Sequence, residues 1–447
     1  MSAAADSKQP WTGRRIHLVG AAGAGMSAYA LAARALGASV TGSDRESSAY
    51  ARRLAERTGI EVAIGHDAAN VPPGADVELF YSSAIPPENP EREAARERGL
   101  RELSRAQLVR ELSALKRTIA VAGAHGKTTT AGMLSHILLL SGSEPSFLIG
   151  GVPEPLGTNA GWGDGEWLVV EADESDRSML ELDVEIAVVT NVELDHHATF
   201  ASLAELEDTF RAFLAGAREA VLWDSPSVLK LREGPRVAYE AEGVEAAPSG
   251  TRLTWRGRAV SLAVPGLHNA RNATGALEAA ALTGVKAEDA VRALESFAGV
   301  GRRLERLGTS RAGAELYSDY AHHPTEVRAT LQAARPLAAG RLVVAFQPHL
   351  FSRTAALAQE FAAALAAADV VVVLEIYPAR EDPRDWPGVG GALIAGALGG
   401  TGHRDVHFEP TLRDAALLLE RELREGDLCI VMGAGDIDAL GRRLVAA

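Results

Sequence analysis

Along most of the chain, short β-branched or apolar runs alternate with longer stretches of Ala, Leu, Arg and Glu in which apolar positions recur at helical spacing. A short, uninterrupted apolar run suits a strand buried on both faces, and the amphipathic stretches between such runs supply the crossover helices. The order strand, helix, strand predicts an α/β fold on mostly parallel sheets. Strands are expected at Ile16 to Val19, Ser39 to Thr41, Val77 to Tyr81, Thr118 to Ala122, Trp167 to Glu171 and Ile186 to Thr190. Further strands are expected at Ala259 to Ala263, Leu342 to Phe346, Val370 to Leu374 and Leu428 to Met432.

With 447 residues the chain exceeds one ordinary core, and about 150 residues per domain gives two or three domains. Three is the expected number. One break follows the helical stretch Arg105 to Leu115, because Lys116 and Arg117 lead into a fresh strand that ends in a glycine-rich loop. A second falls in the Gly/Arg-rich passage Phe297 to Leu307, ahead of a strand at Glu315 to Tyr317. The expected domains are therefore 1–115, 116–307 and 308–447.

Composition narrows the class. Hydrophobic residues make up 47% and charged residues 23%, as in soluble globular proteins, and no apolar run reaches bilayer length. Met1 to Arg15 is polar and lacks a basic region followed by an apolar stretch, so no secretory signal is read there and a cytoplasmic location is expected. Net charge is 45 − 59 = −14, which repels nucleic acid and anionic lipid; neither is expected as a partner. Cys429, the single cysteine, excludes an internal disulfide and reads as a small buried hydrophobe.

The glycine-rich loops carry the candidate chemistry. In GAAGAG, Gly20, Gly23 and Gly25 stand between a strand and a helix, with Asp44 closing the next strand. Such glycines let backbone amides approach a phosphate at a helix's positive end, while a carboxylate one strand later can hold a ribose hydroxyl. The spacing is GxxGxG, which weakens a dinucleotide reading and leaves a plain tight turn open. In AVAGAHGKTTT, Gly123, Gly126, Lys127, Thr128 and Thr129 follow a strand and open a helix. Backbone donors, a lysine for the β- and γ-phosphates and a hydroxyl for Mg²⁺ are what a triphosphate needs, although Val121 stands where a standard Walker A motif has glycine.

Downstream, EADESD places Glu171, Asp173, Glu174 and Asp176 just past an apolar strand. Four clustered carboxylates repel unless a cation or hydrogen bonds offset them, so a metal site is favoured over a solvated turn. TNVELDHHATF sets Thr190, Asn191, Glu193, Asp195, His196 and His197 at another strand end. Successive strand ends of an open α/β sheet share one crevice, which favours a ligand role for this cluster over helix capping. PGLHNARN offers His268, Asn269 and Asn272, which can read the edge of a base or cap a helix. Arg302, Arg303, Asp319, Tyr320, His322, His323, His349 and Arg353 follow in GRRLE, DYAHHPTE and FQPHLFSRT.

Taken in order, GAAGAGMS, SSAI, GAHGKTTT, EADESD, TNVELDH, PGLHNARNA, GRRLE, DYAHHPTEV, FQPHLFSRT and GAGDI closely resemble the Mur ligase family, across nearly the whole chain. The resemblance implies an N-terminal Rossmann-like domain for a UDP-sugar, a central P-loop ATPase-type domain with a mostly parallel sheet, and a C-terminal Rossmann-like domain for the incoming amino acid. Within the family the sequence is most similar to members that add L-alanine to UDP-N-acetylmuramate with ATP and two Mg²⁺ ions. A monomer or weak homodimer is expected.

By this resemblance Lys127, Glu171, His196 and Arg303 would be catalytic, and Thr128, Glu171 and His196 would ligate metal. Gly123, Gly126, Lys127, Thr128 and Thr129 would bind ATP, together with His268, Asn269, Asn272, Arg302, Arg303, Asp319 and Tyr320. Gly23, Gly25, Asp44, Ser82, Ser83 and His125 would line the UDP-sugar site; His322, His349 and Arg353 would face the amino acid. Leu203 to Leu214 holds no lysine, so no carbamylated lysine is expected, and Leu350 stands where other alanine-adding members carry Arg. Two alternatives are a recycling member that attaches a preformed tripeptide and a non-catalytic nucleotide-binding regulator. An NAD-dependent oxidoreductase would rest on GAAGAG and Asp44 alone.

Overall fold

The computed structural model describes residues 9–195, 199–247, 250–379 and 381–446. His196 and His197 lie outside them, so the metal and catalytic roles expected of His196 have no structural counterpart below. The chain forms two compact units: Met1–Glu193 with Ala204–Glu240 and Asn272–Leu294, and Leu194–Leu203 with Ala241–Arg271 and Glu295–Ala447.

In the first unit, a five-stranded parallel sheet runs Val62–Ile64, Ser39–Asp44, Arg15–Val19, Val77–Tyr81, Arg101–Ser104. Strand order reverses between Arg15–Val19 and Val77–Tyr81, which opens a crevice at the carboxyl ends of this pair. Local chemistry starts the helices around it. Ser48 accepts amides from Tyr50 and Ala51, Asn89 caps a helix with Pro90 in its first turn, and Ser104 with Gln107 forms a capping box.

A seven-stranded sheet completes this unit, in the order Val237–Tyr239, Glu219–Trp223, Ile186–Val189, Arg117–Ala122, Trp167–Glu171, Ser146–Leu148, Ala160–Gly161. All neighbours are parallel except the last pair. Register sets Val121 against both Val188 and Glu171, so three motif-bearing strands end level. The strand residues Ile186–Val189 are all buried, as is most of helix Lys127–Leu140, which suits the uninterrupted apolar runs of their sequences.

The second unit holds a six-stranded sheet: Glu305–Thr309, Glu315–Asp319, Leu428–Met432, Leu342–Phe346, Val370–Val373, Val406–Phe408. Only the first pair is antiparallel. Cores fill both faces, one around Val344, Phe346 and Phe361 and another around Val343, Val431 and Leu419. Each such large side chain contributes about 1.5–3 kcal/mol through burial. Cys429 is fully buried in the second of these cores, and desolvation pushes its thiol up to about 12.

Two details differ from the sequence expectation. The chain enters the six-stranded sheet at Glu305, so the join expected at Gly308 falls inside a strand. Residues read as another parallel strand at Ala259 to Ala263 instead form Arg258–Leu262, an edge of a three-stranded antiparallel sheet with Glu242–Ala247 and Gly250–Trp255. A two-residue turn at Arg256 and Gly257, both at positive φ, makes that hairpin, and a tight hairpin can join only antiparallel strands. Among the described residues, no helix is long and apolar enough to cross a membrane.

Candidate functional site

Strand Arg117–Ala122 runs into the turn Gly123 to Gly126, which opens helix Lys127–Leu140. Gly126 is left-handed at φ +83°, and a Cβ there would meet Asn272 Oδ1 at 2.5 Å; one on Gly123 would meet Thr190 Oγ1 at 2.1 Å. A side chain at Gly123 would also meet the Asn191 backbone, while one at Gly126 would have to displace the Asn272 side chain from a left-handed backbone. Thr190 Oγ1 and Asn191 Nδ2 both donate to the His125 carbonyl, at 2.6 and 2.8 Å, and Asn191 Oδ1 accepts the His125 amide. The helix opens with no side-chain cap, leaving its positive end for an anion.

Lys127 reaches back across this turn. Its Nζ donates to the Gly123 carbonyl at 2.6 Å and to both oxygens of Glu174 at 3.0 and 2.9 Å. Burial opposes the ammonium, yet Glu174, Asp173 and Glu171 outweigh it and hold the lysine above its ordinary value. Thr128 Oγ1 donates to Glu171 Oε2 at 3.2 Å, and the Gly150 amide to Glu171 Oε1 at 2.6 Å. Lysine, hydroxyl and carboxylates thus converge at the carboxyl end of the central strands.

Arg105 joins this acidic loop to the five-stranded domain. Its Nη2 lies 2.9 Å from Asp173 Oδ2 and 3.0 Å from Ser178 Oγ, and Nε lies 2.8 Å from Asp176 Oδ2. Burial would raise the Asp173 carboxyl, but Arg105 and Lys127 hold it well below the usual range. On its other side, Arg105 Nη1 is 3.5 Å from where a Gly25 Cβ would stand. Asn159 Nδ2 donates to the Ala24 carbonyl at 2.8 Å, a second link to the same loop.

That loop has a divided backbone. The Gly20 and Ala21 amides both donate to the Ser43 carbonyl at 2.9 Å, and the Ala22 amide to Asp44 Oδ2 at 2.9 Å. Gly23 is the N-cap of helix Ala24–Ala35 and offers no side chain to its first amides. Gly20 approaches Ser82 so closely that a Cβ would sit 2.9 Å from Ser82 Cβ, which sets Ser82 and Ser83 at the rim of the crevice.

In the second unit, Arg353 Nη2 and Nε donate to Asp195 Oδ1 at 2.7 and 3.0 Å, with both side chains nearly sealed from water. The His349 ring stacks on Tyr377 at 5.9 Å and meets His322 edge-on at 6.0 Å. Burial pushes His322 down to about 4. Arg302 Nη2 donates to the Gly433 and Gly435 carbonyls at 2.7 and 3.0 Å, and both Arg302 and Arg303 lie over the Tyr320 ring. Asp319 accepts amides from Leu304 and Ala321, both at 2.7 Å, and burial raises it to about 6. Burial pushes His268 down to about 4, aided by Arg303.

Three family models match consecutive stretches: the Mur ligase family catalytic domain over residues 15–117, the Mur ligase middle domain over 121–280, and the Mur ligase glutamate ligase domain over 302–435. A UDP-N-acetylmuramate–L-alanine ligase of Mycolicibacterium smegmatis is 42% identical, covering 97% of this chain and 95% of the relative. One of Rubrobacter xylanophilus is 41% identical, with 97% and 99% covered. The chain belongs to the Mur ligase family. The crystal structure of UDP-N-acetylmuramate-alanine ligase from Thermotoga maritima superposes with a TM-score of 0.83 at 28% identity, covering 97% of this chain and 98% of that one. A murein peptide ligase from Psychrobacter arcticus gives 0.74 at 26% identity, over 97% and 98%.

As a Mur ligase, the chain has the three-domain α/β fold, with N-terminal, central and C-terminal domains on mostly parallel sheets. Within the first unit the structure gathers Gly123, Gly126, Lys127, Thr128, Glu171 and Asn272 around one turn. Thr129 is buried in the helix behind them, and His125 Nε2 lies 3.4 Å from Glu193. Asn269 donates its amide to the Pro265 carbonyl at 2.8 Å, a local link at the start of helix Leu267–Leu282. Leu350 is buried, with a positive φ of +72°, so the position where relatives were expected to differ carries a sealed apolar side chain.

Sequence reasoning missed three participants. Glu174 was visible only as one acid of a cluster, with nothing to single it out as the lysine's partner. Arg105 opens an ordinary amphipathic helix and carries no motif. Gly150, whose amide holds Glu171, lies in a loop far along the chain; the Gly-Gly pair at Gly150 and Gly151 was its one available signal.

Proposed function

We propose that this Mur ligase joins L-alanine to the lactyl carboxylate of UDP-N-acetylmuramate, converting ATP to ADP and phosphate. The reading rests on the convergence of Lys127, Thr128 and Glu171 at the level ends of adjacent parallel strands. The names borne by its 41–42% identical relatives support the same choice of substrates.

A carboxylate oxygen is a poor leaving group, so an amine cannot displace it at a useful rate. The substrate carboxylate therefore attacks the γ-phosphorus of ATP, forming an acyl phosphate as ADP departs. The alanine amine then attacks the acyl carbon and phosphate leaves with the bonding pair, taking up the proton that the nitrogen loses. Both partners of the first step are anions, and Lys127 neutralises charge as it builds on the β,γ-bridging oxygen of the departing ADP. For this, Lys127 exchanges Glu174 for phosphate oxygens, while the uncapped start of helix Lys127–Leu140 receives the polyphosphate.

The Thr128 hydroxyl and Glu171 carboxylate are hard oxygen donors set side by side, a donor set that fits magnesium. When bound, Mg²⁺ supplies electrostatic stabilisation to the transferring phosphoryl group. His196 is assigned to a second metal by its place in TNVELDH. At the five-stranded domain, the open amides of helix Ala24–Ala35 hold the UDP diphosphate, with Asp44, Ser82 and Ser83 at its rim. His268, Asn269, Asn272, Arg302, Arg303, Asp319 and Tyr320 serve the ATP nucleoside and phosphates, and His322, His349 and Arg353 the amino acid. The first domain is taken as 1–115 and the second from 116, with the third beginning at strand Glu305–Thr309 and not at Gly308. In this reading the enzyme works in the cytoplasm as a monomer or weak homodimer, without nucleic acid or membrane.

Phosphate release measured with UDP-N-acetylmuramate, ATP and either L-alanine or the tripeptide tests the assignment. Release with L-alanine alone is expected; release only with the tripeptide would make the chain a recycling ligase. Binding without any turnover would favour a regulator.

A further inference from the structure

Beneath the glycine loop of the five-stranded domain lies a polar cluster that the chemistry above does not use. Glu91, in the first turn of helix Pro90–Glu97, is fully buried. Its carboxylate accepts from His17 Nε2 at 2.7 Å, Ser43 Oγ at 2.7 and 2.8 Å, His66 Nδ1 at 3.1 Å and Asn70 Nδ2 at 3.2 Å. A carboxylate can only accept, so each of these groups presents a hydrogen to it. Thr41 Oγ1 in turn engages His17 Nδ1 at 2.8 Å.

Burying an ionised carboxylate is costly unless donors surround it. Burial alone would raise Glu91, but His17, Ser43 and Asn70 hold it down to about 2, so the charge is kept. Its placement in a helix's first turn adds the favourable end of the helix dipole. A core position that keeps four donors on one charge ties together elements that apolar packing alone would leave free to slide.

The elements tied are those that shape the loop. Ser43 is the residue whose carbonyl receives both the Gly20 and Ala21 amides, and Asp44 beside it receives that of Ala22. The Gly65 amide donates to the Asp44 carbonyl at 2.8 Å, and Asn70 Nδ2 to the Gly65 carbonyl at 2.9 Å. Glu91 thereby grips the end of strand Ser39–Asp44 and the turn that flanks it.

We propose that Glu91 is a positioning residue for the sugar nucleotide: acting through Ser43, it holds the Gly20 to Gly25 loop in the geometry that receives the diphosphate. The inference rests on the assignment of this loop to UDP-N-acetylmuramate. In Glu91→Gln one oxygen becomes an NH₂ group facing donors, so the loop is released without a change of shape. In Ser43→Ala the backbone carbonyl stays and only its tether to Glu91 is cut.

Initial rates of the full-length chain, wild type, E91Q, S43A and the double variant, are measured against each substrate in turn, with thermal unfolding alongside. Each single variant is expected to raise KM for UDP-N-acetylmuramate about tenfold. Both kcat and KM for ATP should move less than about twofold, because the phosphoryl-transfer groups are untouched. The double variant should match E91Q, since both changes cut one link. Unchanged sugar-nucleotide KM in folded S43A, additive effects, or an equal rise in KM for ATP would overturn the proposal. Should E91Q fail to fold, S43A alone decides it. A wild-type chain inactive on UDP-N-acetylmuramate would remove the parent assignment too, whereas an active wild type with indifferent variants removes only this one.

Discussion

Lys127 and Glu174 form a closed ion pair, with the ammonium 2.9 Å from one carboxylate oxygen and 3.0 Å from the other. Glu174 is almost wholly sealed from water, so the lysine offsets the cost of burying that charge. The same ammonium is the group assigned to ATP. Replacing Lys127 with Ala should lower phosphate release roughly 100- to 1,000-fold while UDP-sugar binding stays within about threefold. It should also lower the unfolding free energy by about 3–5 kcal/mol, because the buried Glu174 carboxylate loses its ammonium. Adding Glu174→Gln should restore much of that stability and none of the turnover; chemical denaturation and a phosphate assay check the two halves separately.

Removing Glu171 tests the metal assignment. Glu171→Gln keeps an acceptor for the Gly150 amide but loses the charge that would bind magnesium. Turnover should fall at least about 100-fold and shift its Mg²⁺ titration to higher concentration. A variant with the wild-type magnesium dependence would refute the role of this carboxylate.

The glycine turn is a steric prediction. With Gly126 at φ +83° and Asn272 Oδ1 2.5 Å from its Cβ direction, Gly126→Ala should strain the backbone by about 1–3 kcal/mol. ATP affinity, read by calorimetry, should drop more than stability does, because the turn and Asn272 must separate. Asn272→Ala in the Gly126→Ala background should recover part of the lost stability by removing the contact, but none of the ATP affinity, because Asn272 is itself assigned to the nucleotide.

Arg353 and Asp195 bury their charges together. Arg353→Ala should cost about 3–5 kcal/mol by removing a buried guanidinium from the Asp195 carboxylate. Arg353→Lys should cost less, since charge is kept and one of two donors is lost. Urea midpoints of the two variants give the order.

The histidines of the second unit make stability depend on pH. His268 and His322, each pushed down to about 4 from 6.5, are uncharged in the folded chain over a range where the unfolded chain binds protons. Their contribution is complete above pH 6.5 and is lost as pH falls toward 4. Asp319, raised to about 6, acts in the opposite sense: it favours folding below 3.8, and that contribution fades as pH rises to 6. Replacing both histidines with Gln should flatten the decline between pH 6.5 and 4, measured by denaturation midpoints at steps across that window. An unchanged slope would show that neither ring is held uncharged.

Periodicity made the main strands legible because a strand buried on both faces can hardly avoid a continuous apolar sequence. The motifs marked Lys127, Thr128 and Glu171 for the same reason: strand ends of a parallel sheet meet in space. What stayed hidden was pairing that depends on tertiary approach. No local pattern ties Arg105 to Asp173, 68 residues away, or Glu91 to His17, 74 residues away. In the antiparallel sheet, strand Arg258–Leu262 was read but its partners Glu242–Ala247 and Gly250–Trp255 were not: Glu242–Ala247 is largely exposed and Gly250–Trp255 breaks its apolar positions with Thr and Arg, so only the hairpin turn at Arg256 and Gly257 could have signalled the pairing.

Cys429, fully enclosed with its thiol raised to about 12, leaves the native chain with no nucleophilic sulfur within reach of a maleimide. A cysteine engineered at an exposed position would therefore be the sole labelling site, with no need to delete a native one first. Fluorophores could be attached at chosen points, and ligand-driven movement followed in solution, on an otherwise unmodified enzyme.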